Sequence, residues 1–362
     1  MKPLATIGAL SPGGLTLPLA LPTPGQLYGP RGVFFDGENL VVCDTGNHRV
    51  LIFRNYDFSS QPSADVVIGQ PDFYCETHTN GGPERGLFMP TGVAIHDGQL
   101  LVADAWHHRV LVWETLPTKN WQGANRAIGQ PDMSGIEPNQ GASCSPTSLY
   151  WPFGIGFAAG RFWIADTGNR RLLGFSEVPR AHEQPEVIIG QPDGFSHDEN
   201  RGELGARSFR WVHDIAGDER HLYVSDAGNH RILHWLGDGS GDINASSVIG
   251  QKDLMSSVEW PYGPHSSQSL RFPYSISTSN GRMAIADTAN NRVLLYKEIP
   301  TGDFGAADYV LGQDSFATNG ENHWIEVSDD SMCWPFAVHL VGDRLFVADT
   351  GNNRVVIWDL EW

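Results

Sequence analysis

Short apolar runs of three to six residues alternate with polar turns along nearly the whole chain, and one stretch shows the grammar in full. Residues 92–95 are apolar and lead into His96-Asp97-Gly98, which carries the Asp-Gly hairpin signal. Gln99 leads into a second apolar run, residues 100–103, and the polar phrase Asp104–Arg109 follows. Residues 110–113 form a third run, and residues 126–129 close a fourth ahead of Gln130-Pro131-Asp132. Runs this short, rich in β-branched and aromatic residues and bounded by turn formers, predict strands. Asp36-Gly37 and Asn280-Gly281 mark the same first turn in other stretches.

The four-run unit repeats. Its clearest marker occurs as Asp44-Thr-Gly-Asn-His-Arg49, Asp104-Ala-Trp-His-His-Arg109, Asp166-Thr-Gly-Asn-Arg-Arg171, Asp226-Ala-Gly-Asn-His-Arg231, Asp287-Thr-Ala-Asn-Asn-Arg292 and Asp349-Thr-Gly-Asn-Asn-Arg354, with the aspartates 60 to 62 residues apart. A fixed period means one supersecondary unit stacked on copies of itself. Four antiparallel strands taken six times predict an all-β, six-bladed β-propeller, a single domain over residues 1–362. A second marker, Ile-Gly-Gln or Leu-Gly-Gln, ends the fourth strand at Gly69, Gly129, Gly190, Gly250 and Gly312, which is five copies rather than six. Thr6-Ile7-Gly8 supplies the sixth, because Gly8 precedes Asp44 by the same 35 to 37 residues that separate every other pair. Residues 1–10 are therefore expected to complete the last blade and close the ring, removing its exposed edges.

The phrase, with apolar strands on both sides and a Pro-x-Gly opening (Pro30-Arg31-Gly32, Pro90-Thr91-Gly92, Pro152-Phe153-Gly154), resembles the NHL-repeat family. The resemblance covers essentially the whole chain and implies the same six-bladed propeller, with repeats longer than the family usually has. The repeated Asp, Asn and Arg are expected to be architectural, since every blade carries them: Arg forks onto the carboxylate while the turn satisfies its own backbone. His48, His107, His108 and His230 in these turns read as surface or inter-blade residues.

Charge and cysteine content narrow the partners. A formal net charge of −18 disfavours nucleic acid and anionic lipid, which select basic surfaces. The apolar stretch near the start is broken by Pro18, Pro22 and Pro24, unlike a signal segment or membrane span, so the cytoplasm is the expected compartment. Cys43 stands where other repeats have Ala or Ser and reads as a core residue; Cys75 and Cys144 fall in adjacent loops that could approach, and free thiols are expected in a reducing compartment. No metal-type cysteine spacing occurs, and the cofactor is left unknown.

Function is sought where repeats disagree. The residue between Pro and Gly points to the central channel in this family, and here it is Arg31, Thr91, Phe153, His213, Tyr274 and Phe336. The fourth repeat loses both Pro and Gly and gains His213-Asp214. Arg31 is expected to face His213 across the mouth, with Asp214 orienting His213 as acid or base and Tyr274 assisting proton transfer. Phe153 and Phe336 would wall a pocket for a small anionic or carboxylate-bearing ligand, rimmed by Trp151, Trp211 and Trp334. Related propeller lyases hold zinc with several channel histidines; only His213 stands in that place, so no metal site is expected. The first reading is a protein- or ligand-binding module acting through its long-loop face, which includes the acidic runs 196–200 and 328–330. The alternative is a lyase- or hydrolase-type enzyme acting on a small, anionic substrate at the mouth.

Overall fold

A computed structural model describes residues 1–9, 21–78, 82–259 and 265–362. The last residue of the expected closing segment 1–10, and Pro18, lie outside these residues. The described chain forms six four-stranded antiparallel sheets arranged as the blades of a propeller. Blade one runs through Gly32–Phe35, Leu40–Asp44, Arg49–Phe53 and Val66–Ile68, and blade two through Val93–His96, Gln99–Asp104, Arg109–Trp113 and Arg126–Ile128. The inner strands of blades three to six are Pro152–Ala158, Val212–Gly217, Pro273–Ser279 and Pro335–Val341.

Lys2–Gly8 closes the ring. It pairs antiparallel with Arg354–Asp359, placing Ile7 opposite Val355 and Gly8 opposite Arg354. Asp97 and Gly98 both take positive φ (49° and 76°), as do Asn280 and Gly281 (52° and 77°), which the mirror-image hairpin turns demand. Asp36-Gly37 differs from that expectation. Its loop is wider, and the Asp36 carboxylate accepts the amides of Glu38 and Asn39 at 2.8 and 2.6 Å.

The core lies between blades. Each of six buried apolar clusters draws on two neighbours; one joins Ile7, Phe346 and Ile357 of blade six to Val33 and Phe53 of blade one. Cys43 belongs to the layer between blades one and two, and all four cysteines are free, so Cys75 and Cys144 are not paired.

The repeated phrase is the rivet of each blade. Asp166 accepts the Arg171 Nε–H at 2.8 Å and the Asn169 side-chain amide at 2.8 Å through one oxygen, and the Tyr150 N–H at 2.7 Å through the other. Arg171 then donates to the carbonyls of Gly194, Ser145 and Ser148, tying down the loop on either side. Every blade repeats the Asp–Arg pair fully or almost fully buried. A buried pair adds modest net stability when intact and costs several kcal/mol when one partner is removed.

The phrase also clasps the next blade. Thr45 and Thr288 donate to the carbonyls of Pro90 and Pro335 at 2.7 and 2.6 Å, and Thr167 and Thr350 donate to those of Val212 and Pro30. Where the phrase has Ala227, Ser225 makes the equivalent bond to Pro273; where it has Ala105, Thr91 instead donates to the Phe153 carbonyl at 2.7 Å. The fifth phrase residue adds a second clasp from its left-handed backbone. His48, His108 and His230 each accept, through Nδ1, the N–H of Met89, Trp151 and Phe272 at 3.2 Å. These three histidines are inter-blade acceptors, one of the two places expected for them; His107 instead is buried and meets the Asp104 carboxylate of its own blade through Nδ1 at 2.8 Å.

Candidate functional site

Each inner strand begins at the same end of the channel, because the loop from the preceding blade delivers it there. That end is ringed by the residues at the Pro-x-Gly position. Phe153 lies against His213 with ring centroids 4.6 Å apart, His213 stacks on Tyr274 at 4.3 Å, and Tyr274 meets Phe336 at 4.7 Å. The Arg31 guanidinium sits over the Phe336 ring at 4.6 Å, a cation–π contact. These five side chains from five blades form a collar. Below it runs a cavity of about 340 Å³, lined by all six inner strands, from the collar to Phe34, His96, Phe157 and His339 at the far end.

Electrostatics at the collar follow from burial. His213 is held down to about 3, first by burial and then by the Arg31 charge, so its imidazole is neutral at physiological pH. Burial also lowers the Arg31 pKa and raises that of Tyr274. At the far end, burial holds His339 to about 4, and its Nε2 lies 3.0 Å from the Phe35 carbonyl.

Asp214 departs from its expected place. It does not orient His213. One of its oxygens accepts the Ser275 hydroxyl at 2.6 Å and the Ile276 N–H at 3.1 Å, and the other accepts the Ile215 N–H at 2.9 Å. Ser275 passes the link on by accepting the Val338 N–H at 3.1 Å. The reason is geometric. Blades one to three have Gly at this position because the neighbouring backbone is too close: a Cβ on Gly154 would stand 2.2 Å from the His213 carbonyl. Blades four and five carry Asp214 and Ser275 in place of that Gly, and these side chains stitch one inner strand to the next, while blade six has Ala337. Burial pushes the Asp214 carboxyl up to about 6 against those hydrogen bonds.

The three expected rim tryptophans surround the collar. Trp151 packs on Trp106 at 5.4 Å, Trp211 stacks on Phe272 at 5.9 Å, and Trp334 donates its indole N–H to Glu321 at 2.8 Å. Trp151, Phe272 and Trp334 hold left-handed backbone (φ 52°, 48° and 51°) just before an inner strand. Large residues adopt that region only when their surroundings force it. Trp106 is the residue that the repeat comparison passed over. It replaces the phrase glycine in blade two and reaches both Trp151 and Phe153, at 5.4 and 5.7 Å. Its signal in the sequence is plain: a tryptophan where four of the other five copies have Gly and one has Ala.

The family model for the NHL repeat matches residues 27–53 and 89–113, which span the first three strands of blades one and two with the phrase between them. The chain thus carries NHL repeats at these positions. NHL repeat-containing protein 2 of Gallus gallus is 23% identical over 382 aligned residues, covering 93% of this chain and 47% of that one. Its Homo sapiens counterpart is 22% identical over 377, with the same coverage. The chain thus spans about half the length of the curated relatives it matches. Among solved structures, the WD40 β-propeller domain of Doa1 superposes with a TM-score of 0.52 at 10% identity, over 99% of this chain and 97% of that one, a likeness of fold.

In this chain the loops between blades share one face with the collar and the phrase turns. Of thirteen exposed large apolar side chains among the described residues, ten lie on those loops, including Trp324 at 75% and Ile325 at 84% exposure. The opposite face carries only Leu236 and Ile243 of that set. Among the described residues no three His, Cys, Asp or Glu side chains are grouped to hold a metal ion, and no helix is long and apolar enough to cross a membrane.

Proposed function

We propose that this propeller is a docking module that engages a protein partner through its loop face. The observation that carries this reading is the concentration of exposed apolar side chains there, since apolar patches of that kind mark interaction sites. The rigid ring holds the loops between blades on one side, the usual arrangement for binding surfaces. The test pairs two variants, Trp324→Ser with Ile325→Ser on the loop face and Leu236→Ser with Ile243→Ser on the other. Chemical cross-linking in extracts of the source cell should yield a defined adduct that the first variant loses and the second keeps. Equal yield from both variants would remove the reading.

The second reading is an enzyme of lyase or hydrolase type at the collar, supported by the meeting of Arg31, His213 and Tyr274. It is the weaker. His213 has no carboxylate behind it, and an imidazole held near 3 is a poor general base at neutral pH.

A further inference from the structure

Among the described residues, one partly buried arginine stands apart from the others that are not exposed. Among the described residues, every arginine that is not exposed has a carboxylate or carbonyl partner for its guanidinium, except Arg31. Fourteen arginines are ion-paired, and Arg170 donates to the carbonyls of Gly168 and His197. Arg31 rests on the Phe336 ring, borders the channel cavity and makes no such bond. A partly buried guanidinium is costly to leave unpaired, above all in a chain of net charge −18 with acidic side chains in surplus. Its five donors form a planar fork that matches a carboxylate.

From this we propose that the channel mouth is a binding site for a small organic monocarboxylate with a flat apolar body. The carboxylate lies on the Arg31 fork, within reach of the Tyr274 hydroxyl, and the body packs against Phe153 and Phe336. A single positive charge with Asp214 in the same wall matches one negative charge and disfavours a phosphate dianion. Neutral His213 adds no second cation. The cavity of about 340 Å³ is at the lower end of the range for small-molecule sites, roughly 300–1,000 Å³. The site is independent of the partner-docking reading: it lies in the channel, and loss of the exposed loop residues leaves it intact.

The experiment is isothermal titration of the full chain with benzoate, phenylacetate and indole-3-acetate, alongside neutral benzamide and inorganic phosphate. At least one of the three acids should bind saturably at millimolar or tighter affinity, with Arg31→Gln weakening it by about tenfold or more. Benzamide should bind at least about tenfold more weakly than benzoate, and phosphate should not displace the acid. Phe336→Leu provides a second variant that keeps Arg31 and removes the ring beneath it, and it should weaken the same acid several-fold. Absence of saturable binding by all three acids, equal affinity in Arg31→Gln, or displacement by phosphate each overturns the proposal.

Discussion

Six arginines among the described residues are buried to the last atom or nearly so, and each is answered by an aspartate and by backbone carbonyls of the neighbouring inter-blade loops. A seventh, Arg31, is partly buried at the channel mouth and is answered only by the face of an aromatic ring. The two environments sit within one residue type and one repeat, yet they obey opposite logic. A charge that recurs in every blade must be neutralised inside the blade, or the ring would carry six buried, unpaired ions. A charge that appears in one blade alone is free of that duty, which is what the proposed ligand site draws on. Recurrence thus marks the frame, and departure from it marks the site.

The largest test of the frame removes its closure. Deleting residues 2–8 takes the fourth strand from blade six and Ala5 and Ile7 from the core, and should lower stability by on the order of 5 kcal/mol in urea titration. An unchanged midpoint would mean that the ring does not depend on this strand. Arg171→Leu leaves Asp166 charged and unpaired in a dry site and should cost about 3–5 kcal/mol by the same measurement. Gly154→Ala presses a methyl group on the His213 carbonyl and should cost about 2 kcal/mol, with loss of ligand affinity as the collar shifts.

Acid titrates the frame and the mouth together. His213 and His339 are held to about 3 and 4, below the 6.5 of a free imidazole, so between those limits the unfolded chain takes up protons that the folded chain refuses. Their contribution to stability should therefore fall as pH falls from 6.5 towards 4, by about 1.4 kcal/mol per pH unit for each imidazole kept neutral in the fold. Asp214 works the other way, since its raised pKa of about 6 favours the folded state more as pH falls from 6 towards 3.8. His48, His108 and His234, also held to about 4, add to the imidazole side. The buried Asp44, Asp166 and Asp349, whose carboxyls burial raises, add to the other, so the test reads the difference between the wild type and a variant lacking one imidazole. Urea midpoints at pH 7 and 5 measure the slope, which His339→Gln should reduce. The smallest effect completes the contrast: Arg31→Gln should destabilise by no more than about 0.5 kcal/mol, because no ion pair is lost. A loss matching that of Arg171→Leu would place Arg31 in the frame.

Much of the frame was legible because its causes are local. Asp44 and Arg49 are five residues apart, the hairpin glycines answer to their own φ, and Gly8 falls in register with Gly69 and its successors. The mouth was legible only in its membership. Arg31, His213, Tyr274, Phe153 and Phe336 do meet, as their place at the start of each inner strand implied. The direction of Asp214 was not readable, because it depends on Ser275, 61 residues away, and on the spacing between two inner strands. Trp106 was readable as a deviation, but its reach to Trp151 and Phe153 belongs to the curvature of the ring.

The amino-acid sequence by itself determined the number of blades, the closure of the ring and the rivets that hold each turn, since these rest on periodicity and on partners a few residues apart. The tertiary structure alone decided which carboxylate serves the frame and which arginine is left without one. Those outcomes depend on distances between blades, and such distances are set by how side chains from different repeats pack against one another.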